Sequence, residues 1–228
     1  MEKHHFLFGL LSFMLCLVSS ASVLPQDAKE LFMSKNIDYY NDHAQAFHDR
    51  TAKTDLTFMY KEFLQHLPKS ASILDAGCGV GRDSKYFLDH GYKVTAFDAS
   101  HEMAEMASKA IGRPVLEMTF QQLNFENEFE GVWAQLSLIH VPYEETREVY
   151  EKIHRALKAG GIFSGSYKYG RALMSTAERD FWNMDEERLL GYIEGLFDPI
   201  HIWTEEDTRS QKNPSTEKKI LNFILRKK

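Results

Sequence analysis

Three glycines stand at every second position, Gly77, Gly79 and Gly81, directly after a short apolar run that ends in Asp75-Ala76. Glycine at such points lets the main chain turn sharply, and lets a ligand lie against backbone where a Cβ would collide. A helical pattern follows through Lys85, Tyr86, Phe87 and Leu88. The turn therefore presents the unpaired N–H groups of a helix start to an anionic or polar ligand group. The next apolar run, Lys93 to Phe97, ends in Asp98, seventeen residues past Gly81. A carboxylate at that strand tip can accept both hydrogen bonds of a ribose diol. These residue types in this order perform nucleoside-cofactor chemistry.

Dinucleotide folds place the third glycine one position further along, as G-x-G-x-x-G. The spacing here is G-x-G-x-G, with Asp75 two residues before the first glycine. This resembles motif I of the class I S-adenosylmethionine (SAM) methyltransferases, and Asp98 falls where that family keeps its ribose-binding acid. The tail Gly81-Arg82-Asp83-Ser84 is similar to the small single-domain, tellurite-resistance-type subgroup that acts on small molecules. The resemblance implies SAM as cofactor, bound by Asp75, Gly77, Cys78, Gly79 and Gly81 in the loop, and by Asp98 with Ala99 beside it. Met103, Phe120 and Gln121 are the implied adenine neighbours. Met103 on an apolar helical stripe is equally accounted for by packing. Where relatives carry an adenine-binding Asp in Gly-Asp-Ala-x-x-Leu-Pro-Phe, this chain has Thr119, which leaves adenine to backbone near Phe120 and to the Gln121 amide.

The segment Asn36 to Thr51 contains Tyr39-Tyr40 and Ala44 to Phe47. It is similar to the helix that lies over the cofactor in small-molecule methyltransferases. Tyr39 or Tyr40 would cover the SAM pocket with an aromatic face that attracts the sulfonium, and Arg50 would pair with the methionine carboxylate. Packing of an amphipathic helix explains the same aromatics. Further on, Phe129 to Leu136 resembles the family's fourth strand, and Ser137-Leu138-Ile139-His140-Val141-Pro142 resembles its Leu-His-His-Val. Gln135 and His140 therefore border the expected reaction site. His140 is a candidate base, since histidine titrates near neutral pH, or else a structural histidine bonded to a loop carbonyl.

The elements that must hold these residues follow from periodicity and punctuation. Leu56, Met59, Tyr60, Phe63, Leu64 and Leu67 recur at helical spacing up to Pro68. A strand to Ala76 and a helix to about His90 come next, with Gly91 as stop. Ser100 caps a helix to Ile111, broken by Gly112 and Pro114. Val115 to Met118 reads as a third strand. Pro142 opens a helix closed at Ala159-Gly160-Gly161, and the strand Ile162 to Tyr167 follows. Gly170 to Trp182, with Arg171 and Arg179, reads as a loop or broken helix facing substrate. Asp198 to Glu205 and Lys218 to Leu225 read as two final strands joined by a polar loop containing Pro214. The predicted fold is α/β, a doubly wound, seven-stranded, mostly parallel sheet with a reversed C-terminal hairpin. The predicted division is a leader over 1–32, a lid and helix region over 33–70, and the methyltransferase core over 71–228.

A chain of 228 residues with 43% hydrophobic and 26% charged residues suits one folded α/β domain. A net charge of −6 and the lack of an aromatic-interleaved basic patch argue against nucleic acid as partner. No Cys–His cluster has metal-ligand spacing. Residues 6 to 18 form an uncharged apolar run after Lys3, His4 and His5, and Ser19-Ser20-Ala21 follows. That is a secretory-signal pattern, too short for a membrane span, so no stable membrane insertion of the catalytic part is expected. Two cysteines, Cys16 and Cys78, form no disulfide framework, which suits a reducing compartment instead. Translation from Met33 would reconcile the two, leaving the enzyme cytoplasmic; otherwise a signal is cleaved near residue 21.

The expected activity is methyl transfer from SAM to a small-molecule acceptor by in-line displacement. A nicotinamide-dependent oxidoreductase on the same glycine turn and a catalytically silent SAM-binding protein are the alternatives.

Overall fold

The computed structural model describes residues 26–207 and 219–228, with side chains from residue 33. The signal-like run, Cys16 and the Pro214 loop lie outside the described residues. The chain divides into units of residues 1–31 and 32–228, and the sheet and every residue of the site described below lie within the second.

Seven strands form one sheet in the order β3-β2-β1-β4-β5-β9-β8. They are β1 (Ser72–Ala76), β2 (Lys93–Asp98), β3 (Leu116–Glu117), β4 (Phe129–Ala134), β5 (Leu157–Lys168), β8 (Phe197–Glu206) and β9 (Lys219–Lys227). Strands β1 to β5 pair in parallel, whereas β9 runs antiparallel between β5 and β8. This is the doubly wound, mostly parallel sheet with a reversed terminal pair that the sequence predicts. Its chain reversal after β3 puts β1 and β4 side by side, and ligands bind outside the carboxyl ends of strands at such a switch point.

Helices cover both faces. On one face α5 (Tyr143–Ala156) and α6 (Glu186–Ile193) bury Val149, Tyr150, Ile153, Leu189 and Ile193 against Phe163, Tyr167 and Phe223. On the other, α2 (Thr57–Leu64) and α3 (Arg82–Asp89) bring Met59, Tyr60, Phe63 and Phe87 onto Ile73, Trp133, Ile162 and Ile224. Alternation along the buried strands sorts the two sets: Ile162 and Ile224 point to one cluster, Phe163 and Phe223 to the other. The remaining helices are α1 (Gln26–Thr51) and α4 (His101–Ile111). Among the described residues, no helix is long and apolar enough to cross a membrane.

Two local expectations are corrected. Gly170 to Trp182 is not a loop or broken helix but carries a hairpin, β6 (Leu173–Ser175) with β7 (Asp180–Trp182). Its turn is closed by Thr176, whose N–H donates to the Arg179 carbonyl while its hydroxyl oxygen accepts from the Arg179 N–H. A threonine side chain thus does the work that a Gly or Asn turn signal would have announced. Helix α5 also ends at Ala156, three residues before the expected Gly stop, because Leu157 already pairs with Phe129 as the first residue of β5.

Beneath the glycine loop lies a buried charge. Asp83 accepts from the Tyr60 hydroxyl at 2.7 Å, the Trp133 indole N–H at 2.9 Å and Arg82 Nε at 2.6 Å. Those three donors tie α2, β4 and the start of α3 to one carboxylate. Replacing Asp83 by Ala leaves a half-buried guanidinium without its carboxylate and two buried donors unpaired, and the expected loss is about 3–5 kcal/mol of unfolding free energy. Urea denaturation of Asp83→Ala measures it; a loss within experimental error would show that the cluster does not hold the loop's foundation.

Candidate active site

The three loop glycines all have positive φ, +73° at Gly77, +55° at Gly79 and +83° at Gly81. Each is also hemmed in. A Cβ on Gly77 would lie 2.4 Å from that of Ser137, and one on Gly81 would lie 3.0 Å from the Ala107 backbone on α4. A Cβ on Gly79 would meet the Phe47 ring at 3.3 Å. The loop is anchored from behind as well: the Gly77 and Cys78 amides both donate to the Phe97 carbonyl at 2.9 Å, and Ser137 Oγ donates to the Ala76 carbonyl at 2.7 Å. Asp75 is buried under the turn and accepts from Ser84 Oγ at 2.6 Å. Burial, and then the nearby Asp83 charge, push its carboxyl up to about 8, so it is largely protonated at neutral pH. Cys78 is a free thiol, pushed up by burial and therefore neutral.

Asp98 sits at the tip of β2 and faces this loop. One carboxylate oxygen accepts from the Gly79 amide at 2.8 Å, the other from the Ser100 amide at 3.0 Å. Burial raises its carboxyl while those amides pull the other way. Each oxygen keeps a lone pair beyond its amide bond, which is the acceptor set a vicinal diol requires. Ala99 follows on the strand-to-helix turn. Met103, on the first turn of α4, packs with Val80 and with Ala44, Tyr40 and Phe47 of α1. The α1 helix therefore packs both on the glycine loop, at Val80, and on the first turn of α4, at Met103. Its backbone leaves helical geometry at His43, between Tyr40 and Asn41 on one side and Ala44 and Phe47 on the other. Phe120 sets its ring edge against Phe97, 5.2 Å between centroids. The Gln121 amide donates to Glu145 on α5 at 2.8 Å, which fixes it next to Phe120. Arg50 is exposed and lies 5.3 Å over the Phe47 ring, so it reaches the loop only through that ring.

At the carboxyl end of β4 a second group of residues gathers. Leu136 adopts φ +51°, uncommon for a residue with a branched side chain, and its amide donates to Ser166 Oγ at 2.9 Å. Gln135, just before it, has its carbonyl oxygen buried with no hydrogen-bond partner among the described residues. His140 follows on a 3₁₀ turn. Its Nδ1 faces the Asp180 carbonyl at 3.0 Å, so the proton resides there, and Nε2 accepts from the Tyr40 hydroxyl at 2.9 Å. Burial pushes the ring down to about 4, and Arg179 and Lys168 add repulsion. The ring is neutral, with its one lone pair already taken. It could act as a base only if Tyr40 moved off.

The structure also assembles residues that sequence reasoning passed over. Lys35 on α1 binds the buried Asp180 carboxylate at 3.0 and 3.1 Å and the Thr176 carbonyl at 2.7 Å. Asn36 Oδ1 accepts from the Asp180 amide at 2.9 Å. Asn41 Oδ1 accepts from Ser100 Oγ at 2.7 Å. Arg179, which the sequence does place in a substrate-facing segment, lays its guanidinium 4.0 Å over the Tyr39 ring. The only signal for the first two was a Lys-Asn pair at the start of the aromatic segment, which resembles any solvated helix face.

The sheet order, the reversed β9 and the glycine loop define the fold of the class I SAM-dependent methyltransferases. Residues 74–164 match the family described as "Methyltransferase domain". Among solved structures, the 1,6-didemethyltoxoflavin N1-methyltransferase of Burkholderia thailandensis shares the fold, with TM-score 0.72 and 24% identity over 92% of this chain and 93% of that one. Among curated relatives, a malonyl-[acyl-carrier protein] O-methyltransferase of Enterobacter lignolyticus is 29% identical over 96 residues, 41% of this chain and 38% of its own. A sterol 24-C-methyltransferase of Candida albicans is 29% identical over 164 residues, 66% of this chain and 41% of its own. This chain thus aligns with about two fifths of the length of these curated relatives. A dinucleotide fold would continue with parallel strand–helix units, whereas β9 here runs antiparallel to β5.

The His140 environment has a thermodynamic signature. A ring held near 4 in the folded protein and near about 6.5 unfolded costs stability as pH falls through that window, because only the unfolded chain takes up the proton. Asp75 acts with the opposite sign: its raised carboxyl favours the fold at low pH and that contribution is lost as pH rises from about 4 towards 8. The difference between wild type and His140→Gln removes the Asp75 contribution. Denaturation curves between pH 4 and pH 7 should show wild type losing ground to the variant as pH falls. Parallel curves would mean that His140 is not held neutral.

Proposed function

We propose that this protein is a SAM-dependent methyltransferase acting on a small-molecule acceptor. The observation that carries this reading is the Asp98 carboxylate, fixed by the amides of Gly79 and Ser100 so that it faces a loop of three positive-φ glycines. The residues fit the cofactor. Asp98 offers a diol two acceptor oxygens, the glycine loop lets an adenosyl group lie against main chain, and Phe120 and Met103 supply apolar walls for adenine. Tyr40 brings an aromatic face to where a sulfonium would lie, and cation attraction to that face suits it.

SAM supplies a methyl carbon made electrophilic by its sulfonium, so that transfer forms one bond to the acceptor's lone pair and leaves a neutral thioether. The chain's own task is to orient, to exclude water and to set charge. Orientation of two bound reactants is worth about 7–11 kcal/mol of a barrier. Tyr40, locked to His140, and the hairpin, locked to α1 through Lys35 and Asp180, form the cover that excludes water. Lys168 and Arg179 make the surroundings of His140 positive, which favours an acceptor that arrives as an anion. With such an acceptor no general base is required, in keeping with the engaged lone pair of His140. In this reading Gln135 and His140 border the acceptor and orient it. The printed names of the relatives place their methyl groups on oxygen, carbon and nitrogen, which accords with a shared cofactor half and a variable acceptor half.

Calorimetry with SAM and with S-adenosylhomocysteine tests the reading. Asp98→Ala should weaken both by roughly 10- to 100-fold, about 1.5–3 kcal/mol for hydrogen bonds to a charged group. Equal affinity in wild type and variant, or preferential binding of NAD or NADP, would defeat it. Turnover of SAM with a panel of small acidic heterocycles separates an enzyme from a protein that only binds the cofactor.

A further inference from the structure

One face of the sheet changes character along its strands. Near the middle it is apolar, with Trp133, Ile162 and Ile224 packed under Phe63 and Phe87. Towards the carboxyl ends of β4 and β5 the same face turns polar. Trp133 pairs in register with Ser164, and Ser164 with Ile224. One step further out, Ser166 pairs with Asn222 and Asn222 with Trp203. Gln135 continues β4 on the same face, two residues past Trp133.

Most of this polar surface is buried and unpartnered. Ser164 and Asn222 are each fully buried, at 0% exposure. Among the described residues no hydrogen-bond partner exists for Ser164 Oγ, for either polar atom of the Asn222 amide, for Trp203 Nε1 or for Gln135 Oε1. Buried polar groups in folded proteins are nearly always bonded, and each exception requires a reason. Asn222 stands between Leu221 and Phe223 in a strand whose other buried residues are Ile, Leu and Phe, where Leu would pack at no such cost. Five orphaned atoms on one patch are an unmet hydrogen-bond pattern.

The patch adjoins the reaction site. Ser166 Oγ holds the Leu136 amide, next to Gln135. Lys168, two residues beyond Ser166 on the same face, sets its ammonium 3.5 Å from the centre of the Phe181 ring on β7. Phe181 in turn packs on His140, 5.4 Å between ring centroids. The hairpin that carries Asp180 therefore closes over the outer end of the polar row.

We propose that Gln135, Ser164, Asn222 and Trp203 form the acceptor subsite, and that the acceptor is a planar cyclic amide, a lactam or imide, whose edge both donates and accepts hydrogen bonds. This rests on the methyltransferase reading and specifies its substrate class. The chemistry of the orphans selects that class. The Asn222 amide offers one donor and one acceptor side by side, the pattern complementary to a cis-amide edge. Trp203 Nε1 can only donate and Gln135 Oε1 can only accept, so the patch reads both polarities and carries no charge of its own. An aliphatic or purely aromatic acceptor would leave all five atoms unmet, and a site built to hydrogen-bond a ligand rejects the analogue that lacks the groups. The ring N–H of an imide is acidic, and its anion would sit beside Lys168 and Arg179.

Uracil as the imide probe, benzene as the apolar control, and the variants Asn222→Leu and Trp203→Phe provide the test. Saturation-transfer NMR is run with S-adenosylhomocysteine present, and the melting temperature of each protein is recorded. Wild type should bind uracil and not benzene. Both variants should weaken uracil at least tenfold, keep S-adenosylhomocysteine affinity, and melt no lower than wild type, with Asn222→Leu rising by roughly 2–4 °C as orphaned atoms are removed. Uracil bound equally by wild type and both variants overturns the proposal, as does a wild type that binds S-adenosylhomocysteine but not uracil. A wild type without S-adenosylhomocysteine affinity defeats the methyltransferase reading instead. In that event uracil binding lost in both variants still supports the subsite, and its absence overturns it.

Discussion

One carboxylate organises the site. Asp98 is drawn to the glycine loop by the Gly79 amide and to the head of α4 by the Ser100 amide. Ser100 in turn caps α4 by accepting from the Met103 amide, and its hydroxyl reaches Asn41 on α1. The loop, the helix that flanks it and the helix that covers it are thus all referred to a single strand tip. The arrangement has a cost, since burial raises the Asp98 carboxyl above its usual range. Amide donors offset part of it, and a ligand diol would supply the rest of the solvation that water has lost. The geometry is pre-set for a ligand that donates two hydrogen bonds from adjacent carbons.

The cover over the site is held by buried polar contacts, which give it a defined closed position. Lys35 and Asn36 grip Asp180 at one end of the hairpin, Tyr40 and His140 meet in the middle, and Asn41 grips α4 at the other side. Asp180 is completely buried, so withdrawing Lys35 exposes the fold to an unpaired interior charge. That couples opening of α1 to movement of the hairpin: neither can leave alone without stranding the other's partner. A two-part cover of this kind admits ligands as one event and shuts water out as one event.

Sequence reasoning reached the glycine loop and its facing carboxylate because that unit is local. Asp75, Gly77, Gly79, Gly81 and Asp98 fall within one strand–turn–helix–strand unit, where glycine spacing alone dictates the geometry. The lid contacts lie far apart in the chain, with 100 residues between Tyr40 and His140 and 145 between Lys35 and Asp180. No spacing rule spans such a gap. The hairpin was misread as loop or broken helix because Thr176, rather than a glycine or asparagine, closes its turn. Asn222 was hidden by its neighbours: Ile220, Leu221, Phe223 and Ile224 say strand so strongly that the amide among them looked incidental. A buried polar residue in an apolar strand is in fact a signal with content, because without a hydrogen-bond partner its desolvation goes uncompensated.

The two halves of the site also differ in the kind of constraint that sets them. The nucleoside half is built from main-chain amides, positive φ angles and one carboxylate; a Cβ on Gly77 would collide with Ser137, and one on Gly79 or Gly81 would press on Phe47 or Ala107. Such a half tolerates little change. The acceptor half is built from side chains on a sheet face: a serine, an asparagine, a glutamine and an indole on a scaffold of strands that would pair equally well with other residues there. Side chains on strands can be exchanged without moving backbone, provided volume is kept. Specificity can therefore change by substitution at Ser164, Asn222 and Trp203 while Asp98 and the glycines keep the same cofactor. This is the physical reason that a fold of this class identifies the cofactor from the chain's local pattern and yields its acceptor only to the three-dimensional arrangement of a few buried polar atoms.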